Sequence, residues 1–361
     1  MEVLCSDGLA ELKMPLFLLP PEVYDRSVNG TPWSPGYSKE FFSVTSIDDS
    51  LWWCIALLRV HTRNESFPYD TSLYLSSSIH VWEMVLQHAW DDVFGGGVWW
   101  TDDHSHGLLG KGYKNAITNE LFLYASTSLY KATGNETFLK WAHKEAAWFL
   151  KSGMINREYL VNDGLDKYGH NNNGTTWSYN QGVILGGLVD LYNITGDAVY
   201  LSLAMNISGA AMRTLTDKIG VFSEICDGGT PGAPPCVLND DARIFKGIFV
   251  RYLGHLIPAL HRCATSSVAS NSALSPVTAL AHLSKISEFV KFNFDHVSAD
   301  SRNSATWATC GAIPMPRPSP GAVWQSARES VFAGYTSTLS TLDLVIVHAQ
   351  LQQIEICSTS E

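Results

Sequence analysis

Asp48 and Asp49 stand side by side in IDDSLWW, residues Ile47–Trp53, with Trp52 and Trp53 just behind them. Paired carboxyls have the chemistry for acid–base work. Cleaving a glycosidic bond needs one carboxyl protonated at the leaving oxygen and a second acting as base or nucleophile. The retaining form of that reaction sets the two about 5–5.5 Å apart. Neighbouring residues reach that separation when their side chains diverge. Repulsion between near carboxylates raises one of the two pKa values, which suits an acid beside an ionised partner. The same pattern has a plainer reading. One Asp caps the helix LWWCIALLRV and the other favours its positive end. Pattern alone leaves both readings open.

Further stretches carry side chains suited to sugar. In GGGVWWTDDHSH, from Gly95, the glycines allow a tight turn, and Trp99 and Trp100 offer ring faces for stacking. An ordinary hairpin with buried tryptophans fits as well. Asp102, Asp103, His104 and His106 have ligand chemistry, but no partner cluster stands elsewhere, so no metal is expected. KGYKNAITNELF brings Lys114, Asn115 and Asn119 to a helix start, where they serve either hydroxyl recognition or capping. WSYNQG brings Trp177, Tyr179 and Asn180, and FKGIFVRYL brings Lys246 and Arg251. Those two cations equally suit snorkelling from a buried helix. The chain has no GxSxG, P-loop, strand-borne GxGxxG or HExxH, which disfavours the enzyme classes built on them.

The elements that must position these residues show in an internal echo. NELFLYASTSLYKATGNETFLKWAHKEAAWFL, from Asn119, matches NQGVILGGLVDLYNITGDAVYLSLAMNISGAAM, from Asn180, about 60 residues later. Each reaches Leu-Tyr, then a Thr-Gly-Asn or Thr-Gly-Asp turn, then a second helical stretch. Gly134 and Gly196 fit a left-handed residue after a helix, and Asn135 and Asp197 suit the next cap. Phe138, Trp141, Ala142 and Glu145 fall at helical spacing, as do Leu201, Ala204 and Met205. A third hairpin starts at Ala242, and another runs from Asp48 through Arg59 and then from Leu73 to His88. A last helix is expected over Thr338–Gln352. Short β hairpins are expected in GGGVWW and REYLVNDGL. Repeated helical hairpins make either an open solenoid or a closed α/α toroid. The long loops, rich in Trp, Asn, Asp and Gly, favour the toroid, with matching helix starts gathered at one end as a cleft. Residues 264–276 and PMPRPSPG, from Pro314, read as exposed loops.

Bulk properties narrow the class. At 361 residues and 45% hydrophobic, the chain can bury a sizeable core. A formal charge of −11 argues against a nucleic-acid partner, which needs a basic face. Seven cysteines are too few for a disulfide scaffold, though Cys226 and Cys236 flank the loop CDGGTPGAPPC and are a candidate bridge. Six N-x-S/T sequons, at Asn29, Asn64, Asn135, Asn173, Asn193 and Asn206, lean towards a secreted glycoprotein. No apolar run is long enough to span a membrane. LKMPLFLLPP lacks the features of a signal peptide, and QLQQIEICSTSE has no anchor tail.

The motifs taken in order resemble glycoside hydrolase family 76, the endo-α-1,6-mannanases. The resemblance rests on IDDSLWW, the Gly-Gly-x-x-Trp segment Gly96–Trp99, YKNAITN, LYKATGNETFLKWA, VNDGLD with WSYNQG, and FKGIFVRYL after the Cys-flanked loop. It covers roughly Ile47 to Leu253. It implies an all-α (α/α)6 toroid and retaining hydrolysis of α-1,6-linked mannan, with Asp48 as nucleophile and Asp49 as acid/base. Trp52, Trp99, Trp100, Lys114, Asn115, Asn119, Trp177, Tyr179, Asn180 and Lys246 would shape the mannose subsites. It implies no metal or cofactor, a mannose-containing glycan as partner, a monomer, and an extracellular or cell-wall location. Only 47 residues precede Asp48, and Pro20, Pro21, Pro32 and Pro35 mark them as poorly helical. The expected organisation is therefore an irregular segment over 1–46 and a toroid over 47–361 lacking its first helices. Ser50 stands where the family commonly has Gln. Two other classes remain open: a non-catalytic mannan-binding or wall protein, and another toroid enzyme such as a lyase.

Overall fold

The computed structural model describes residues 42–43, 46–63, 70–102, 104, 112–227, 241–265, 274–303, 344–352 and 354. The chain divides into two compact units, one of residues 13–156 and 162–174 and the other of residues 1–12, 157–161 and 175–361. Nearly all of the segment expected to be irregular, 1–46, lies outside the described residues, as does the Pro314 loop.

The first unit holds four helices: α1 (Ile47–Thr62), α2 (Ser72–Ala89), α3 (Ala116–Thr133) and α4 (Glu136–Ser152). On α1, Ile47, Leu51, Cys54, Ile55 and Leu58 recur at helical spacing and are buried. That stripe packs against α2 and α3, and α3 packs against α4. α3 is buried from Ala116 to Thr127 without a break, so it is the central helix of the unit. Trp82 anchors the core. Its ring stacks on Phe122 at 5.5 Å and meets Phe138 edge-on at 4.8 Å. Its indole N–H donates to Ser126 Oγ at 2.8 Å, so the buried polar atom is satisfied.

The turn between α3 and α4 works as its residue types require. Gly134 closes α3 at φ 67°, and Asn135 Oδ1 accepts the Thr137 N–H at 2.9 Å to start α4. The second unit repeats this device between α5 (Ser178–Thr195) and α6 (Ala198–Thr214). There Gly196 has φ 73° and Asp197 Oδ1 accepts the Val199 N–H at 3.0 Å. α7 (Ala242–Thr265) and α8 (Pro276–Asn303) follow, with a helical stretch over 344–352. α5 packs on α6 and α7, and α7 on α8. Phe222 fills this core against Phe249 at 4.8 Å and Phe289 at 5.2 Å.

The two expected β hairpins do not form as ladders. Among the described residues there are only isolated bridges, such as Trp90 with Val98 and Leu165 with Asn171. Side chains have taken the backbone groups that a ladder would use. Asn119 accepts the Val98 N–H at 2.6 Å and donates to the Val98 carbonyl at 2.9 Å. Gln181 does the same to Val161, at 2.7 and 2.8 Å.

The glycine turn before Trp99 is fixed by packing. Gly97 has φ 91°, and a Cβ there would sit 2.3 Å from the Trp148 ring. Gly134 has φ 67° with open space around it. Gly97→Ala is therefore expected to cost about 3 kcal/mol or more, strain and overpacking together. Gly134→Ala should cost about 1–2 kcal/mol, strain alone. Denaturant titration of both variants tests this, and equal losses would remove Trp148 as the constraint.

Candidate active site

The carboxylate pair occupies the first turn of α1, where the helix dipole favours negative charge. The Ile47 N–H donates to the Trp100 carbonyl at 2.8 Å, and the Trp100 N–H to the Tyr113 carbonyl at 2.7 Å. These two backbone bonds set Trp100 against the helix start. Its indole N–H then donates to Asp48 Oδ1 at 2.9 Å. Ser46 Oγ lies 2.9 Å from Asp48 Oδ1 and 2.6 Å from Asp49 Oδ2. Asp48 is half-buried and Asp49 exposed. Burial raises the Asp48 pKa above the usual carboxylate value, the Ser46 bond opposes this, the Asp49 charge adds to it, and the Trp100 bond opposes it again. Trp53 and Trp100 leave 39% and 37% of their surface open, enough for a ring face beside the pair, and Trp52 is half-buried. Capping and chemistry therefore coincide here. The N-cap Ser46 makes no side-chain bond to the helix backbone and its hydroxyl serves the carboxyls instead.

Trp99, Lys114, Asn119 and Lys246, expected among the sugar contacts, have no more than 1% of their surface exposed. Trp99, Lys114 and Asn119 hold the structure of the first unit beside the candidate site, and Lys246 is bonded within the second. Lys114 Nζ donates to Asp91 Oδ1 at 2.8 Å, to the Val93 carbonyl at 2.8 Å and to the Gly96 carbonyl at 2.6 Å. Trp99 Nε1 donates to Asp91 Oδ2 at 2.7 Å. Burial pushes the Asp91 carboxyl up, but the bonds from Lys114 and Trp99 outweigh it and hold the group ionised below its ordinary value. Asn115 caps α3 by accepting the Thr118 N–H at 3.2 Å. Nearby, Tyr113 donates its hydroxyl to Asp163 at 2.6 Å and accepts from Asn172 at 2.8 Å.

In the second unit, Trp177 and Tyr179 are half-buried and both meet Phe245, Tyr179 stacked at 3.9 Å and Trp177 edge-on at 5.5 Å. The Asn180 side chain is buried without a hydrogen-bond partner among the described residues. Lys246 pairs with Asp227, both fully buried. Asp227 also accepts the Glu224 N–H at 2.7 Å, and Glu224 accepts from the backbone and hydroxyl of Ser178 at the start of α5. Burial pushes the Glu224 carboxyl up to about 7 despite the nearby Lys246 charge. Cys226, beside this cluster, is disulfide-bonded, and its expected partner Cys236 lies outside the described residues.

Ser46, Asp91, Asp163, Glu224 and Asp227 were not singled out from sequence. The cap was expected at one of the aspartates, and nothing in the pattern shows a serine hydroxyl turned to side chains. Asn135, Asn173, Asn193 and Asn206 are exposed, while Asn29 and Asn64 lie outside the described residues. His104 Nδ1 lies 3.3 Å from Asp91, and Asp103 and His106 fall outside the described set. Among the described residues no three His, Cys, Asp or Glu side chains gather as a metal site requires.

Helical hairpins in series, with a carboxylate pair at a helix start, define an α/α protein. The sequence profile of glycosyl hydrolase family 76 matches residues 29–287, and the chain belongs to that family. It is 32% identical over 215 residues to mannan endo-1,6-alpha-mannosidase DCW1 of Saccharomyces cerevisiae, covering 57% of this chain and 45% of that protein. It is 26% identical over 305 residues to mannan endo-1,6-alpha-mannosidase DFG5 of the same yeast, covering 82% and 58%. The chain spans about half the length of the curated relatives it matches. The α-1,6-mannanase of Salegentibacter has a similar structure, with a TM-score of 0.62 at 24% identity over 92% of this chain and 80% of that one. Dfg5 from Chaetomium thermophilum, solved with glucosamine, gives 0.61 at 22% over 86% and 68%. An inactive Salegentibacter variant, two consecutive aspartates replaced by asparagine, was solved with α-1,6-mannotriose and gives 0.60 at 23% over 86% and 77%. These likenesses show the fold, the all-α (α/α)6 class of the family.

Two measurements test the buried charges. Lys246→Met leaves Asp227 buried without its cation and is expected to cost about 3–5 kcal/mol in denaturant unfolding. Glu224 keeps its proton in the folded state to about pH 7 and loses it near 4.5 when unfolded. The folded state thus binds more protons in that window, so stability falls as pH rises from 4.5 to 7. The slope is at most about 1.4 kcal/mol per pH unit for one group. Thermal melts across the window should show Glu224→Gln flattening it; an unchanged slope would assign it elsewhere.

Proposed function

We propose that this chain is a glycoside hydrolase acting on α-1,6-linked mannan by a retaining mechanism, with Asp48 as nucleophile and Asp49 as acid/base. The carrying observation is the adjacent pair at the start of α1, joined through Ser46 and bonded to Trp100. Membership of family 76 supports the reaction class, and the names of the relatives support the substrate. The solved variant inactivated at two consecutive aspartates supports giving both roles to one such pair. In the first step Asp48 attacks the anomeric carbon while Asp49 gives its proton to the leaving oxygen. Water, activated by the Asp49 carboxylate, then releases the sugar from Asp48. A sugar hydroxyl in place of water makes the same chemistry a transglycosylation. The open faces of Trp53 and Trp100, in the same unit as the pair, are the aromatic surfaces offered for mannose. The sequons support an extracellular or cell-wall setting, and among the described residues no helix is long and apolar enough to cross a membrane. We assign the chain as a monomer.

Incubation with unbranched α-1,6-mannan should release manno-oligosaccharides of retained anomeric configuration. Asp48→Asn should lower kcat by at least about a thousandfold, since a carboxamide cannot form the covalent intermediate. Product release unaffected by that substitution would sink the assignment. Mannan binding with no products from the unmodified chain would instead make it a binding protein.

A further inference from the structure

We propose that Asn206 is an N-glycosylation site filled before α6 packs on α8, and that its first sugars then lie in the groove between these two helices. This rests on the extracellular reading above, because only that route brings the chain to a glycan donor. Asn206, Ile207 and Ser208 form one of the six sequons, and it differs from the other described ones in where its hydroxyl goes. Thr137 and Thr195, which complete the sequons of Asn135 and Asn193, are exposed, and Thr175, which completes that of Asn173, is partly so. Ser208 has no exposed surface. Its Oγ donates to the Ala204 carbonyl at 2.7 Å and pairs with His282 Nε2 of α8 at 2.8 Å. Asn206 and Ser208 also lie well inside α6, and residues two apart do not face each other on a helix. Asn135 stands just before α4 and Asn193 in the last turn of α5, where helix ends fray. A transferase that reads the amide and the hydroxyl together therefore finds Asn206 open but Ser208 closed off once α6 and α8 have met.

The transfer forms a bond from Asn206 Nδ2 to the anomeric carbon of N-acetylglucosamine. It breaks the bond from that carbon to the diphosphate of a lipid-linked oligosaccharide. The diphosphate keeps the electron pair, and one amide proton leaves to solvent. The groove that then receives the sugar has a volume of about 740 Å³, and Asn206 stands in its α6 wall. Gly209, about one turn further along α6, keeps the groove open. A Cβ there would come 3.3 Å from Arg213 Nη1 and 3.4 Å from His282 Cε1. The rim is apolar and faces water, with 62% of Ile219, 45% of Phe292 and 44% of Tyr159 exposed. The two rings suit the C–H face of a pyranose, and Arg213 and Lys285 bring donors for its hydroxyls. The occupant is named by its root. A sequon in the groove wall places a bulky, solubilising sugar directly on an open apolar surface.

The first measurement is glycopeptide mass spectrometry on the full chain taken from the cells that make it. Sugar at Asn206 is expected. A bare Asn206 beside an occupied Asn135 overturns the proposal and leaves the extracellular reading standing, whereas bare sequons throughout overturn both. The second measurement is release of the glycan from the folded chain by a peptide N-glycosidase. Release from Asn206 should be about tenfold slower than from Asn135, the factor that a seat worth about 1.4 kcal/mol gives. Unfolding should remove the difference. So should Ile219→Ser combined with Phe292→Ser, since both side chains are exposed and the fold does not depend on them. Equal release rates in the folded chain overturn the seat in the groove. The third measurement fixes the order of events. Unglycosylated chain, either folded or unfolded beforehand, is given to a microsomal oligosaccharyltransferase with its lipid-linked donor. The unfolded chain should take sugar at both Asn135 and Asn206, and the folded chain at Asn135 alone. A folded chain filled as fast at Asn206 as at Asn135 overturns the order.

Discussion

The ammonium of Lys114 has no exposed surface, and the first unit is arranged around that fact. An ion taken out of water costs several kcal/mol unless its donors are matched. Lys114 is matched by Asp91, by the carbonyls of Val93 and Gly96, and by the face of Trp99, 4.7 Å away. Residues 91–97 cannot leave this geometry without stranding the charge. Trp148 closes the same turn from the other side, donating to the Phe94 carbonyl at 3.0 Å and lying over Gly97. The turn fixed in this way delivers Val98 to Asn119 and Trp100 to Asp48. The environment of the carboxylate pair is thus inherited from a fully buried cation.

The second unit solves a similar problem with similar parts. Lys246 is buried against Asp227, Asp227 holds the backbone of Glu224, and Glu224 holds the first turn of α5. In each unit a buried lysine lies beside a segment whose aromatic residues face outward at least in part. The lysines supply rigidity and the rings supply surface. Such a division suits a site for uncharged sugar, where stacking and exact placement matter more than a net charge.

How much of this the sequence disclosed follows from the range of the forces involved. The Thr-Gly-Asn and Thr-Gly-Asp turns act within four residues, so Gly134, Asn135, Gly196 and Asp197 could be read directly. The stripe on α1 and the pairing of hairpins follow from helical spacing, which is also local. Lys114, Asn119 and Lys246 look like sugar-binding residues because structural and ligand-binding roles use the same donors. What separates the roles is burial, set by residues far along the chain. Asp91 lies 23 residues from Lys114, and Val98 lies 21 from Asn119. The expected hairpins failed for the same reason, since distant side chains took the backbone groups a ladder needs. The cap was expected at an aspartate, and the choice of the Ser46 hydroxyl between backbone and carboxyls is a matter of rotamer.

The bond from Trp100 to Asp48 spans 52 residues of sequence. The Ser46 contact is local to the pair, whereas the indole donor arrives only with the distant segment that carries Trp100. Asp48 gains that bond only when Trp100 is set against the start of α1 by the Ile47 and Trp100 backbone bonds.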